Sequence, residues 1–227
     1  MLAQMMRKAT VVSQLSQSPY GRGGILYKPM TGVRRMKTIG LRVKSGFVIA
    51  VVADGSAGSW QIKRCEKVPL MSGALEYARF PFHPLIDLEP AKGAEVSRQA
   101  VNDVHTASRK QLAAFFESAG PLAGATVIVG SLIDPQTVGN PHIRVHAREG
   151  QLFREVVVEA LGRSNIPCRV LRDKEAYAAV AKELGCGEAQ VKRDVDSAGR
   201  GKQKPWRADE KLAALGARAA ISAKLPR

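Results

Sequence analysis

Residues 38–54 constrain the fold of this chain more than any other stretch. Two runs of β-branched and apolar residues, 39–43 and 47–53, flank Lys44, Ser45 and Gly46. Strand-forming runs on both sides of a short turn that contains glycine are typical of a β-hairpin. The sequence therefore predicts that its ordered part begins with two antiparallel strands.

A third strand is predicted over residues 60–68, after a turn at 55–59. Regular alternation would place Ile62, Arg64, Glu66 and Val68 on one face of this strand. Because charged side chains recur along it, we expect one face to meet solvent.

Prolines interrupt the next segment, residues 71–93, at positions 81, 84 and 90. Proline lacks a backbone N–H and breaks regular elements, so we expect an ordered loop that covers a sheet edge. Residues 95–118 then place apolar side chains at helical spacing. This pattern predicts an amphipathic helix that buries Val101, Val104, Ser108, Leu112 and Phe115.

Strands and helices alternate in the second half of the chain. The wholly apolar run 125–129 predicts a strand that is buried on both faces. Asn140 followed by Pro141 is typical of a helix start, and this helix is expected to reach about residue 161. Next come a strand over 168–171, a helix over 173–184 capped by Asp173, a short helix over 188–197 and a last helix over 206–222.

The 227 residues include 35 Lys and Arg against 20 Asp and Glu, a net charge of +15 at pH 7. A field of this sign attracts polyanions and favours nucleic acid, DNA or RNA, as a partner; a solvated basic surface is the alternative. Residues 1–37 show no periodicity, and six of the basic residues but no acid lie before residue 36. We expect a disordered basic leader at 1–37, a domain at 38–222 and a tail at 223–227.

The three cysteines, Cys65, Cys168 and Cys186, share no close spacing. This usage suits a reducing compartment better than a disulfide framework or a zinc site. No apolar run approaches the roughly 18 residues of a membrane span, and the first residues lack the apolar block of a secretory signal. These features predict a cytoplasmic protein without a membrane partner, and they leave its oligomeric state open.

Three strands followed by helix, strand, helix, strand and terminal helices resemble the ribonuclease H-like superfamily. Among its branches, the chain is most similar to the Holliday-junction resolvase group of RuvC and YqgF. Gly199, Gly201 and the run 207–211, RADEK, resemble the loop and the acid-bearing helix that close RuvC-like domains. The resemblance implies an α/β fold in which a mixed five-stranded sheet, in the order β-β-β-α-β-α-β-α, is flanked by helices.

Active members of this superfamily cleave phosphodiesters with two divalent metal ions. The resemblance implies one acid in the first strand, one at the end of the fourth and one or two in the last helix. Here the first position falls at or beside Arg42, and the fourth strand ends at Gly130 and Ser131. Only the last helix matches, with Asp209 and Glu210. We therefore expect no active two-metal nuclease, no magnesium and no other cofactor.

Arg42 has two interpretations. In the first interpretation, its guanidinium repels a metal cation and holds phosphate oxygens. Other basic residues are expected to line the same cleft, on the side of the domain where the resembled family has its catalytic site. Alternatively, Arg42 forms a structural ion pair with Asp209. The predicted anion-binding set is Arg42, Lys44, His142, Arg144, His146, Arg148 and Arg207.

His142, His146 and Glu149 share one helical face at positions i, i+4 and i+7. Two imidazoles and a carboxylate are a possible metal-ligand set. The pattern is common without a metal, and a structural role in which the histidines hydrogen-bond loop groups is favoured. A phosphate site formed with Arg144 and Arg148 is the third interpretation.

Together these patterns predict a RuvC-like domain with a degenerate active site. It would bind nucleic acid or another phosphate-bearing ligand without cleaving it, and would thus be a pseudoenzyme. One alternative is a metal-dependent nuclease or resolvase in which a rearranged set, Asp134, Glu149, Asp209 and Glu210, holds magnesium. The other is a protein-interaction module for which the charge is incidental.

Overall fold

The computed structural model describes residues 35–56, 58–201 and 204–222. The predicted tail and the first 34 residues of the predicted leader lie outside these ranges. Within them, regular structure begins at Met36, two residues before the expected domain start.

The described strands form one mixed sheet. Their bounds are β1 Met36–Lys44, β2 Phe47–Ser56, β3 Ser59–Pro69, β4 Ala125–Val129 and β5 Cys168–Arg172. The spatial order is β3-β2-β1-β4-β5. β1 is antiparallel to β2 and parallel to β4, β2 is antiparallel to β3, and β4 is parallel to β5. The predicted α/β fold with a mixed five-stranded sheet flanked by helices is therefore confirmed.

Helices cover both faces of the sheet. Their bounds are α1 Pro84–Asp87, α2 Pro90–Ala119, α3 Pro141–Arg163, α4 Asp173–Leu184, α5 Glu188–Gly199 and α6 Ala208–Ser222. One core lies between the sheet and α2 and α3, and a second lies between the sheet and α4, α5 and α6. In the part of the chain that the structure describes, every helix is too short or too polar to cross a membrane.

Helix starts follow the expected side-chain chemistry where a cap is available. The Asn140 side chain accepts a hydrogen bond from the Ile143 N–H, as predicted for the start of α3. α2 begins earlier than expected, because Glu89 caps it and Pro90 occupies its first turn. The segment predicted to be a loop also contains the single-turn helix α1, which packs against α2.

The predicted faces of the third strand are wrong, because the strand contains a bulge. Arg64 pairs with Val52 and Ile62 pairs with Ala53, so Lys63 is an extra residue without a partner in β2. After an extra residue, the side chains that follow in the strand point to the opposite face from the one that regular alternation gives them. Ile62 therefore joins the core beneath α4, α5 and α6, whereas Val68 joins the core beneath α2 and α3.

α6 lies directly on β1, because both elements present small residues where they meet. A Cβ atom at Gly40 would lie 1.8 Å from the Ala213 carbonyl oxygen and 2.3 Å from the Ala217 nitrogen. One step earlier on the same face of β1, the Thr38 hydroxyl donates to the Ala217 carbonyl oxygen at 2.8 Å. Two strand residues advance about as far as one helical turn, so the two elements stay in step.

We expect Gly40→Ala to lower the free energy of unfolding by about 3 kcal/mol, because the added methyl group overlaps the backbone of α6. The matched control is Gly162→Ala, at a helical position where an added Cβ meets no atom within 4 Å. There alanine should stabilise the protein by roughly 0.5–1 kcal/mol. Urea denaturation measures both changes, and equal effects of the two variants would contradict the close packing of α6 on β1.

The reactivity of the cysteine thiols tests the partial burial of Cys65 in β3. Burial, together with the charges of Glu210 and Glu66, raises the pKa of Cys65 to about 11, whereas Cys186 is exposed. At pH 8 little of Cys65 is in the reactive thiolate form, so we expect Cys65 to react with iodoacetamide on the order of 100-fold more slowly than an ordinary thiol. Mass spectrometry of partially alkylated native protein measures the alkylation rates of Cys65 and Cys186. Denaturation in urea should make these two rates equal. Equal rates in the native protein would contradict the burial.

Candidate functional site

The carboxyl ends of β1, β4 and β5 meet at one edge of the sheet, because these strands run parallel. This edge brings together Arg42 and Lys44 at the end of β1, Gly130 and Ser131 after β4, and Asp173 after β5. Crevices at the carboxyl ends of parallel strands are the usual ligand sites of α/β folds. The edge is therefore the leading candidate for a functional site.

Arg42 forms the centre of this edge. Its Nε donates to Oδ1 of Asp209 at 3.1 Å, and its Nη2 donates to Oδ2 of Asp173 at 2.8 Å. The side chain is only 7% exposed. Nζ of Lys44 lies 3.6 Å from the second oxygen of Asp209. Two cations thus face two carboxylates, and the predicted pairing of Arg42 with Asp209 is present.

α6 brings Asp209 to this position through the same packing that requires Gly40. Asp209, Ala213 and Ala217 follow one another at four-residue spacing along the face of α6 that contacts β1. They lie against Arg42, Gly40 and Thr38 respectively. The ion pair between Arg42 and Asp209 therefore continues the series of α6–β1 contacts to the carboxyl edge of the sheet.

Asp173 is a site residue that the sequence reasoning missed. It was expected to cap α4, but Arg172 is the N-cap residue and its side chain makes no capping hydrogen bond. Asp173 is instead the first helical residue, and its carboxylate turns to Arg42. A polar residue directly after a parallel strand is the signal that identifies it, because such residues collect at the carboxyl edge.

The residues at this edge do not fit the pair of magnesium ions that the superfamily resemblance implies. A two-metal site needs several carboxylates that converge without a competing cation. Here the Arg42 guanidinium lies between Asp173 and Asp209 and bonds to both. The cations of Arg42 and Lys44 balance the two carboxylates, so no negative charge is left over for a metal.

A cleft of about 250 Å³ opens beside Arg42. Two buried atoms here have no hydrogen-bond partner among the described residues, namely Nη1 of Arg42 and Oδ1 of Asp173. The ion pairs therefore leave one donor nitrogen of the guanidinium, Nη1, unused. The cleft is lined by Arg42, Val43, Lys44 and Ser45, by Val129, Gly130 and Ser131, and by Gly150 and Phe153 of α3.

The other predicted cations lie in varied surroundings. Arg144 donates to the carbonyl oxygens of Val138 and Gly139 at 2.8 and 3.2 Å, so it braces the loop before α3. The Arg148 guanidinium lies 4.0 Å from the centre of the Phe82 ring. The side chain of Arg207 is exposed at the start of α6.

The predicted alternative carboxylates serve local structure. Oε2 of Glu210 accepts from the Arg207 N–H at 2.9 Å, which is the backward half of a capping box. Oδ1 of Asp134 accepts from the Gln136 N–H at 2.9 Å and caps a 3-10 turn, Pro135–Thr137. Of the predicted catalytic set, Asp209 is the one that bonds to Arg42.

A second cluster contains three histidines. His142 and His146 lie on α3, and His83 comes from the proline-rich segment 71–93. Nε2 of His142 lies 3.2 Å from Nε2 of His146. The His83 ring packs against both of them. Glu149 is buried, and its Oε1 accepts from Nδ1 of His83 at 2.8 Å and faces the Phe82 N–H at 3.4 Å. It is thus the carboxylate, and not the histidines of α3, that bonds to groups of the loop.

No family model matches the sequence, and no curated protein matches it. Among solved structures, the chain is similar to Thermus thermophilus RuvC in complex with a Holliday junction substrate. The TM-score is 0.47 and the identity 15%, over 81% of this chain and 92% of that chain. A second structure of T. thermophilus RuvC gives a TM-score of 0.45 with the same identity and coverage.

We expect Arg42→Met to lower the free energy of unfolding by about 3–5 kcal/mol, because it removes the buried guanidinium that bonds to two part-buried carboxylates and leaves only Lys44 beside Asp209. Adding Asp173→Asn and Asp209→Asn to Arg42→Met should restore most of the loss. The control is Arg172→Met, which removes an exposed ion pair with Glu175 and should cost at most about 1 kcal/mol. Urea denaturation provides the comparison, and similar losses for Arg42→Met and Arg172→Met would contradict the central role of Arg42.

Proposed function

We propose that this domain binds the phosphate backbone of nucleic acid at the carboxyl edge of its sheet and does not cleave it. The observation that carries the proposal is the buried guanidinium of Arg42 between Asp173 and Asp209. A fixed cation takes the place where the superfamily resemblance implies a metal ion. The domain is thereby a ribonuclease H-like scaffold without its hydrolytic machinery.

Charge balance at the edge argues against hydrolysis. Two divalent ions about 4 Å apart repel each other, so their binding depends on an excess of carboxylates. Arg42 and Lys44 cancel the charges of Asp173 and Asp209. A metal ion entering this cluster would meet the positive charge of the guanidinium and would have to break its ion pairs with Asp173 and Asp209.

The cleft beside Arg42 offers donors to a phosphate group. Lys44 is 39% exposed at its rim, and Ser45 and Ser131 contribute hydroxyl groups to its lining. Arg42 also lines the cleft, although its partnerless Nη1 is buried. Gly150 lines one wall of the cleft without a side chain. A Cβ atom added there would meet no atom within 4 Å. A phosphate oxygen is the acceptor that such donors take best.

The net charge supplies the long-range attraction. The described residues include 27 Lys and Arg and 20 Asp and Glu, so they carry +7 of the +15 of the whole chain. The remaining charge comes from basic residues outside the described ranges, and most of those precede residue 35. We infer that the domain positions the nucleic acid while the basic leader adds affinity that is independent of sequence.

The test is binding of fluorescent four-way DNA junctions, duplex DNA and RNA by the full chain over a range of salt concentrations, with and without magnesium. The junction is included because the similar RuvC structure holds one. We expect affinity to fall steeply with salt and the nucleic acid to stay intact on denaturing gels. Magnesium-dependent cleavage that Asp209→Asn abolishes would support the nuclease alternative instead. Failure to bind any of the nucleic acids would support the protein-interaction alternative.

We expect the double variant Lys44→Ala with Arg207→Ala to bind nucleic acid more weakly and to reduce the slope of log affinity against log salt by about 2, since each lost phosphate contact removes about 1. The control is Lys182→Ala, which removes an exposed cation nine residues after Asp173, about 13 Å along α4 from the edge. Fluorescence anisotropy measures both. Equal slopes for the double variant and the control would place the binding surface away from this cleft.

A further inference from the structure

We infer that His83, His142 and His146 form a binding site for a transition-metal ion, with Zn²⁺ as the best match, which fastens the proline-rich segment 71–93 to α3. One ring nitrogen from each histidine lies within 4.8 Å of those of the other two. The three rings also contact one another, with centroid separations of 4.8, 4.8 and 5.5 Å. The site is separate from the Arg42 cluster and does not depend on the proposed nucleic-acid binding.

Two of the three nitrogens already have the spacing of ligands on one metal ion. With Zn–N bonds of about 2.0–2.1 Å, a tetrahedral centre separates its ligand nitrogens by roughly 3.3 Å. The two Nε2 atoms of His142 and His146 are 3.2 Å apart. His83 and His142 are the widest pair of rings, 5.5 Å apart. His142 lies on the exposed side of the cluster, so a side-chain rotation upon metal binding would close that gap without a backbone movement.

Glu149 supplies the carboxylate that metal-bound histidines usually require. Its Oε1 accepts from Nδ1 of His83 at 2.8 Å, and its Oε2 lies 3.4 Å from Nδ1 of His146. Protons held on these two Nδ1 atoms leave both Nε2 atoms free as metal ligands. A carboxylate behind the ring fixes its tautomer and orientation in known metal sites.

Burial of Glu149 is the independent observation that points to a cation. Its side chain is only 2% exposed, and apart from Nδ1 of His146 at 3.4 Å, its Oε2 meets no hydrogen-bond donor among the described residues. A buried carboxylate whose second oxygen is this weakly bonded is costly unless positive charge lies nearby. A divalent ion held by the three imidazoles would provide that charge. Arg148, the nearest basic residue on the same helix, is instead stacked on Phe82.

The ligand type selects the metal. Neutral imidazoles favour Zn²⁺, Cu²⁺, Ni²⁺ and Co²⁺ over Mg²⁺ and Ca²⁺, which prefer oxygen. Three histidines leave one tetrahedral position for water. The physical effect is to link the residue just before α1 to the first turns of α3, two regions that are 59 residues or more apart in sequence.

The experiment uses the full chain without a histidine tag, stripped of metal by chelation and then titrated with Co²⁺ and Zn²⁺ in the absence of nucleic acid. We expect one Co²⁺ per chain with the visible absorption of four-coordinate nitrogen-ligated cobalt, and displacement of Co²⁺ by one Zn²⁺. His83→Gln and His146→Gln should each lose this binding, and Glu149→Gln should weaken it by 10–100-fold. Thiolate-to-cobalt charge-transfer absorption would indicate cysteine ligands and overturn the proposal.

The chain offers a matched control, because it has only four histidines and the remaining one, His105, lies on α2 outside the cluster. His105→Gln should bind Zn²⁺ as the natural protein does. Zn²⁺ should also raise the melting temperature of the natural protein and of His105→Gln, but not that of His83→Gln. Absence of Zn²⁺ binding by the natural protein, or an equal loss in His105→Gln and His83→Gln, would overturn the proposal. Circular dichroism of each variant separates lost binding from lost folding.

Discussion

The buried guanidinium of Arg42 connects three parts of the chain that are distant in sequence. It lies in the innermost strand, and its two carboxylate partners come from the start of α4 and the start of α6. A charge this deeply buried is tolerated only when partners compensate it, and removal of any member leaves the others uncompensated. The position of the two helices relative to β1 is therefore fixed by electrostatics at one end of the sheet and by backbone contact at Gly40.

The same interaction determines which chemistry the carboxyl edge can perform. In a fold that gathers acidic residues at this edge, a net negative charge attracts metal ions. Here Arg42 and Lys44 cancel the charges of Asp173 and Asp209, so the edge is close to neutral, and a cleft lined by Arg42 and Lys44 opens beside these ion pairs. The proposed function, recognition of an anion without activation of water, depends on this balance. Under that proposal stability and function are coupled at Arg42, because the group that balances the buried charges is also the one that opposes a metal ion.

Local patterns predicted the order of the elements, and the resemblance that rests on this order implied the fold. The wholly apolar run of β4 and the Asn140 cap of α3 depend on nearby residues only, and both are as predicted. The bulge at Lys63 was not predictable, because an extra residue is defined by its pairing partner and not by its own sequence. The partnership of Asp173 with Arg42 spans 131 residues, and that of His83 with Glu149 spans 66. Such contacts follow from how elements dock, which hydrophobic periodicity does not specify.

α3 links the two candidate sites, because consecutive residues serve each of them. Glu149 faces inward and holds His83, whereas Gly150 lines the cleft beside Arg42. Phe153, one turn later, is buried in the core and also forms part of the cleft wall. An interaction that holds segment 71–93 against α3 therefore also restrains the helix that forms one wall of the cleft. A metal ion bound by the three histidines would restrain that wall at Glu149, one residue from the point where it meets the cleft.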